Sequence, residues 1–266
     1  MIPDLADPAV RRLVVTGHPN HELAIFGFVQ RARPHLLFLT DGGGEERVDE
    51  SRRALASIGA LGRAKFLGWS EQALYDALLA VDVETLLPLV DAVRAELLAL
   101  APRQVICESV ELYNPLHDLT LPIVRAAAAT LPEFEIFEFP LIAQEPSDSE
   151  QYRVQRFADE RASIALHLDP CELETKLHLR DHEYRSLRRT TGSVIDVSRD
   201  CAGTEVFARA SDAFPTPGQH HVLRYEWRAR MLQERGDVDR IITFADHFIP
   251  TVTALAAAAG SRITHA

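Results

Sequence analysis

Leu13-Val14-Val15-Thr16-Gly17-His18-Pro19-Asn20-His21-Glu22 joins a short apolar run to a polar turn that opens onto a helix-like stretch over residues 23–31. An apolar run of this length with no polar alternation is the pattern of a strand buried on both faces. Such strands belong to parallel sheets, where neighbours are joined by a crossover that is usually helical. The first 145 residues supply the partners. His35-Leu36-Leu37-Phe38-Leu39-Thr40, Ala64-Lys65-Phe66-Leu67-Gly68, Gln104-Val105-Ile106-Cys107 and Glu135-Ile136-Phe137-Glu138-Phe139 read as further strands. Residues 46–61, 83–100 and 117–131 lie between them with helical spacing. In the second of these, Leu86, Leu87, Val90, Val93, Leu97 and Leu98 keep an i, i+3, i+4, i+7 rhythm. The alternation predicts an α/β fold, a doubly wound and mostly parallel sheet with helices on both faces. Ligands bind such sheets in the crevice beyond the carboxyl ends of the strands.

Past residue 146 the pattern loosens. Pro146-Ser147-Asp148-Ser149-Glu150 reads as a loop, 163–168 as a strand and 171–188 as a helix. Pro215-Thr216-Pro217-Gly218 reads as an exposed loop, followed by helices over 224–234 and 251–259. No internal repeat is visible. The expectation is one domain over 1–266, with its core in 12–145 and an elaboration over 146–266.

Composition narrows the partners. With 28 Lys and Arg against 39 Asp and Glu, the net charge is −11, which repels phosphate backbones and anionic membranes. A small-molecule substrate is therefore expected, with no nucleic acid and no membrane partner; homo-oligomerisation stays open. Arg185, Arg188 and Arg189 form a local basic patch, read as a solvated helix face. Met1 to Pro8 lacks the basic and apolar segments of a signal peptide, and no apolar run approaches the roughly 18–20 residues of a membrane helix. Cys107, Cys171 and Cys201 are an odd number without paired spacing. These features together predict a cytoplasmic protein with inert thiols, Cys107 acting as a small hydrophobe in its strand.

Two segments fall where an active site of this architecture belongs. Thr16-Gly17-His18-Pro19-Asn20-His21-Glu22 follows the first strand, and Tyr113-Asn114-Pro115-Leu116-His117-Asp118 follows the fourth, each at a helix start. Three imidazoles, His18, His21 and His117, can converge there on one ion. A neutral imidazole is a good zinc ligand, and three protein ligands with an open fourth position are what a catalytic zinc requires. A His-x-x-His pair alone is a weak signal; its placement at the strand ends strengthens it. Gly42-Gly43-Gly44 lacks the spacing of a mononucleotide or dinucleotide loop and reads as a rim that approaches substrate closely. His220-His221 reads as an exposed loop pair, and His178 with His182 as a helix-surface pair lacking a third ligand.

The succession of motifs over residues 12–130 resembles the PIG-L/LmbE-like family of zinc-dependent N-deacetylases, whose fold is Rossmann-like. The family's His-Pro-Asp-Asp-Glu is matched by His18-Pro19-Asn20-His21-Glu22, and its Thr-Asp/Arg-Gly-Glu by Thr40-Asp41-Gly42-Gly43-Gly44-Glu45. An Arg-rich helix from Ser51-Arg52-Arg53 to Leu61-Gly62, then Phe66-Leu67-Gly68-Trp69, come in the family's order. Asn114-Pro115-Leu116-His117 occupies the place of a His-Pro-Asp-His segment. Beyond this the match is loose, as around Glu174-Thr175-Lys176. Carried over by position, the resemblance implies zinc ligands at His18, His21 and His117, with an imidazole where the family has a carboxylate ligand. It places Asn20 where the family has its general base, and Asn114 where it has an acid or oxyanion partner.

A centre with three neutral ligands is one unit more positive than the family's, which lowers the pKa of bound water further and reduces the need for a base. Asn20 and Asn114 could then orient a substrate carbonyl or an oxyanion. Candidates for proton transfer are Asp41, Glu45, Glu108, Glu111 and Asp118, with Asp41 ranked first and its competing role the opening of the glycine turn. Glu22 is expected to support a ligating histidine or anchor the loop, and Asp118 to sit in a helix first turn. The resemblance implies a metal-dependent hydrolase acting on the C–N amide bond of a small N-acylated substrate, such as an amino sugar or a biosynthetic intermediate. Zinc is the expected ion, with Fe2+ or another divalent transition metal as alternatives. Two other readings stand: changed chemistry on the same fold (a lyase, isomerase or oxygen-dependent enzyme), and an inactive protein that binds metal or ligand.

Overall fold

The structure, a computed structural model, describes residues 5–145, 148–157, 161–187, 199–211, 213–215, 217, 223–260 and 264–265. Its centre is a parallel sheet of β1 (Arg12–Thr16), β2 (His35–Thr40), β3 (Ala64–Trp69), β4 (Gln104–Glu108) and β5 (Glu135–Phe139). The crossovers are α1 (Phe26–Ala32), α2 (Glu45–Ser57), α3 (Glu71–Ala80) with α4 (Val83–Leu100), and α5 (Pro115–Ala128). After β5 come a separate hairpin of β6 (Ile142–Glu145) and β7 (Asp148–Val154), then β8 (Ile164–His167), α6 (Pro170–His182) and β9 (Thr204–Arg209). Spatially the sheet runs β3-β2-β1-β4-β5-β9-β8, with β9 antiparallel to both neighbours. The doubly wound, mostly parallel α/β fold is therefore present.

The strand pleat divides the interior. Leu13 and Val15, Leu37 and Leu39, Val105 and Cys107 point to one face, where α3, α4 and α5 pack with the helix Ile249–Ala258. Val14, Leu36, Phe38, Ile106, Phe137 and Phe139 point to the other, against α1, α2 and Leu179 of α6. Successive strand residues face opposite ways, so continuous apolar runs build two cores at once. Arg12 is the polar exception in β1; its guanidinium is buried against Gln104 Oε1 at 2.8 Å and the carbonyls of Asp7 and Val10.

Several boundaries differ from expectation for local reasons. The stretch over 23–31 is a 3₁₀ turn (His21–Ile25) followed by α1, which stops at Arg33 with φ 47°. α2 ends at Ser57, because Gly59 takes φ 69° and Leu61–Arg63 form a separate turn. α6 ends at His182 rather than 188: the chain breaks so that Tyr184 enters the core fully buried and donates to Glu22 Oε1 at 2.8 Å. Asp148–Glu150, expected in a loop, belong to β7. Pro215 and Pro217 are half-buried rather than exposed. Pro146, Ser147, Thr216, Gly218, His220, His221, Arg188 and Arg189 lie outside the described residues. Among the described residues no helix is long and apolar enough to cross a membrane.

Candidate metal centre

The chain leaves β1 toward β2 on one side and later enters β4 on the other, so the carboxyl ends of these two adjacent strands flank the topological switch point. Gly17 is the first residue beyond β1. Its N–H donates to Glu108 Oε1 at the end of β4, at 2.9 Å. A side chain there would place Cβ 2.9 Å from Thr120 Oγ1 and 3.1 Å from Glu108 Oε2, so only glycine lets β1 exit this close to α5. Asn20 then turns the chain with φ 81°, a left-handed conformation that Asn tolerates better than most residues. That turn brings His18 and His21 to the same side. His117 is the third residue of α5, whose start is fixed by Asn114 as N-cap, accepting from Leu116 N at 2.9 Å.

The three imidazoles form a triangle. Ring centroids lie 4.9 Å apart for His18–His21, 5.0 Å for His18–His117 and 4.4 Å for His21–His117. Three imidazoles sharing one ion, each nitrogen about 2.1 Å from the metal, hold their centroids roughly 5 Å apart. Two ring orientations follow from hydrogen bonds. The Thr40 hydroxyl lies 2.7 Å from Gly17 O, which can only accept, so His18 Nδ1 must donate to Thr40 Oγ1 at 2.9 Å. The lone pair of His18 is then on Nε2, a buried atom with no hydrogen-bond partner. His21 Nδ1 lies 2.7 Å from Glu108 Oε1, and with that carboxylate ionised its lone pair is likewise on Nε2. His117 Nδ1 is also buried without a partner.

Burial, reinforced by neighbouring imidazoles and Arg47, holds His18 and His117 well below the usual histidine range. Burial and Arg47 lower His21 to about 3. Three neutral rings, two of them carrying a buried nitrogen without a partner, are the kind of donor set a divalent transition metal takes. Among the described residues no three or more His, Cys, Asp or Glu side chains are already set out as an ion site; the rings are gathered edge to face.

The other residues singled out in the sequence take distinct places. Asn20 is buried, its Nδ2 donating to Glu50 Oε2 at 2.9 Å and Ser186 Oγ at 2.8 Å while Oδ1 accepts from Ser51. Both amide hydrogens are thus engaged, and the side chain shapes the floor rather than offering a donor to substrate. Asn114 differs: Oδ1 serves the helix cap and Tyr75, and Nδ2 has no partner among the described residues. Asp41 is in the glycine turn, its Oδ1 accepting from Gly43 N at 3.0 Å and Glu71 N at 3.2 Å. The run Gly42, Gly43, Gly44 has φ of 64°, 82° and 148°, so its glycines serve the turn. Glu45 is exposed at the start of α2.

Glu108 anchors Gly17, His21 and Thr120 together; burial pushes its carboxyl up to about 8, against the Gly17 and Thr120 donors that favour the anion. Glu111 accepts from Leu141 N and Ile142 N, and Asp118, in the first turn of α5, from Glu111 N and Leu112 N. Glu22 accepts from the Tyr184 hydroxyl and so anchors the loop. His178 and His182 pair on the exposed face of α6, 4.5 Å apart.

One carboxylate escaped the sequence reading. Glu71, the first residue of α3, puts Oε1 3.7 Å from His18 Nε2. Burial raises its carboxyl above the usual range, Arg47 opposing and Asp41 adding to the shift. It follows β3 as His18 follows β1, and Ser70 before it caps α3; the strand-end rule that picked out the histidines applies to it equally. The three histidines, Glu71 and Asn114 line a cavity of about 380 Å³. Leu23, Ile142 and Leu177 supply apolar wall, and Arg47, Arg180 and Arg228 are the arginines that line it.

No family model and no curated protein matches the chain. Solved structures do. A triple mutant of the deacetylase Orf2 of the teicoplanin biosynthetic pathway aligns with TM-score 0.53 at 12% identity, over 76% of this chain and 100% of its own. The A40926 pseudoaglycone deacetylase Dbv21 gives TM-score 0.53 at 13% identity, over 74% and 96%. The zinc-inhibited form of teicoplanin deacetylase Orf2 gives 0.50 at 12% identity, over 76% and 100%. The chain has the α/β fold of these deacetylases. At such identities the likeness is one of fold.

Proposed function

We propose that the chain is a metal-dependent hydrolase that opens the C–N amide bond of a small N-acylated substrate. The observation that carries this reading is the triangle of neutral imidazoles, with buried, unpartnered nitrogens on His18 and His117, at the switch point of a fold shared with deacetylases. His18, His21 and His117 would hold the ion, zinc by donor type and Fe2+ as the alternative. When bound, a divalent ion polarises a carbonyl and acidifies water.

The chain's own residues account for the rest. Thr40 and Glu108 fix two of the rings from behind, as partners of ligating histidines do. The acyl group sits between the histidines and Asn114, whose Nδ2 donates to the carbonyl oxygen. Glu71, rather than Asp41 or Asn20, takes the proton from the attacking water. Water adds to the acyl carbon, the C–N bond breaks, and Glu71 returns the proton to the departing amine, giving a carboxylic acid and a free amine. The apolar walls exclude bulk water around this exchange.

Acetate release from a panel of N-acetyl compounds, run beside metal analysis of the purified protein, tests this. A bound divalent ion with acetate release that His117→Ala abolishes is the expected result. A metal-loaded protein that turns over only with oxygen, or isomerises substrate without hydrolysis, would overturn it.

A further inference from the structure

A second cavity, of about 440 Å³, adjoins the first. It lies between α3, the start of α5, the helix α7 (Arg224–Glu234) and residues 238–242. Tyr75, Tyr113, Asn114 and Arg228 line both spaces, so they are neighbouring compartments with one shared wall. Leu79, Leu232, Val238, Ile241 and Ile242 give the second compartment an apolar interior. Its charged lining is of one sign. Arg224, Arg228 and Arg240 contribute guanidinium groups, and among the described residues no Asp, Glu or Lys lines it. In a chain of net charge −11, a compartment whose described charged residues are all cations runs against the average surface.

The three arginines are not equivalent. Arg224 stands 4.6 Å over the Trp227 ring and hydrogen-bonds Tyr113. Arg240 Nη2 donates to Leu79 O at 2.5 Å. These two are held by the protein and set a fixed positive field. Arg228 is exposed and makes no ion pair among the described residues. It stands on the shared wall, where one guanidinium can meet a group on a molecule occupying both compartments. A guanidinium reads a carboxylate or a phosphate through paired N–H donors.

We propose that the second cavity is a binding compartment for the far end of the substrate: an apolar or aromatic body bearing a carboxylate or phosphate, gripped by Arg228. This rests on the proposed amide hydrolysis for what occupies the first cavity. The substrate class is thereby an N-acylated anionic amphiphile, and a neutral sugar fills the two compartments poorly.

Calorimetric titration of the intact protein with three probes tests the assignment: N-acetyl-L-phenylalanine, its methyl ester, and N-acetyltyramine O-phosphate. Wild-type protein should bind one or both anions about ten-fold more tightly than the neutral ester, since a charge-assisted hydrogen bond is worth a factor of this order. Preference for one anion names its source. Arg228→Ala should bring all three within about two-fold, and Arg228→Lys should fall between. Ala229→Trp, which fills the compartment without touching the histidines, should weaken all three. Equal binding of ester and anions, no binding of any probe, or an anion preference that survives Arg228→Ala would overturn the proposal. Acetate release from the same compounds is recorded separately. Lost hydrolysis with an intact anion preference removes the proposed reaction and leaves the compartment; hydrolysis without anion preference does the reverse.

Discussion

Glu108 has no exposed surface, and through it the backbone of β1, the ring of His21 and the hydroxyl of Thr120 share one carboxylate. It therefore couples the geometry of two strand ends to the ring of His21. Replacing it by Gln keeps the shape but removes the ionisable carboxyl that, as the anion, accepts the Nδ1 proton of His21. Partners of this kind typically contribute 10–100-fold to metal affinity, so Glu108→Gln should raise the zinc dissociation constant by roughly that factor. Competition with a chromophoric chelator measures it; unchanged affinity would show that His21 needs no such partner. Glu71 is separable from this role. Glu71→Gln should lower kcat roughly 10²–10⁴-fold with bound metal unchanged, whereas Asp41→Asn, altering only the turn, should leave kcat within about ten-fold of wild type. Equal losses in both variants would return the proton-transfer role to the glycine turn.

At the level of elements, the close approach of β1 to α5 positions everything else. Gly17→Ala must push Cβ into Thr120 Oγ1 and Glu108 Oε2. The expected cost is about 1–3 kcal/mol, the usual range for overpacking, read as a lower denaturation midpoint with an unchanged m-value. A neutral effect would mean that β1 and α5 can separate freely.

The same elements show what a sequence discloses. β1, β2 and β4 were legible because burial on both faces leaves a continuous apolar run, as in Leu13-Val14-Val15. α4 was legible from its long apolar rhythm. α3 was not, since only Leu74, Ala77 and Leu78 are buried in ten residues, too few turns to stand out, and Glu71 went unseen with it. The end of α6 at His182 was hidden for a different reason. Helical spacing continues past it, and the break is set by the burial of Tyr184 against Glu22, a contact spanning 162 residues. The meeting of His18, His21 and His117 could be read because the strand-end rule needs only local pattern. The destinations of Asn20 and Asp41 depend on Glu50, Ser186 and Glu71, distant residues that no local pattern brings together.

For the whole molecule, the two packed faces of the sheet make a rigid frame, and the chemistry is gathered at one end of it. Thiol reactivity reports on that frame. Cys107 is fully buried in β4 and burial pushes its thiol well up, while Cys171 is exposed at the start of α6. Under native conditions Cys171 should be alkylated and Cys107 should react only on global unfolding, as peptide mass spectrometry of labelled protein would show. Early labelling of Cys107 would mean that the sheet opens locally. The fold itself is compatible with several chemistries, and what selects among them is whether the imidazole triangle takes an ion.

Zinc titration into chelator-stripped protein, followed by calorimetry, tests that directly. The account predicts one tightly bound equivalent, with affinity reduced at least about ten-fold by each of His18→Ala, His21→Ala and His117→Ala while circular dichroism stays unchanged. Absence of binding to the wild-type protein, or undiminished binding to the variant lacking all three histidines, would contradict it.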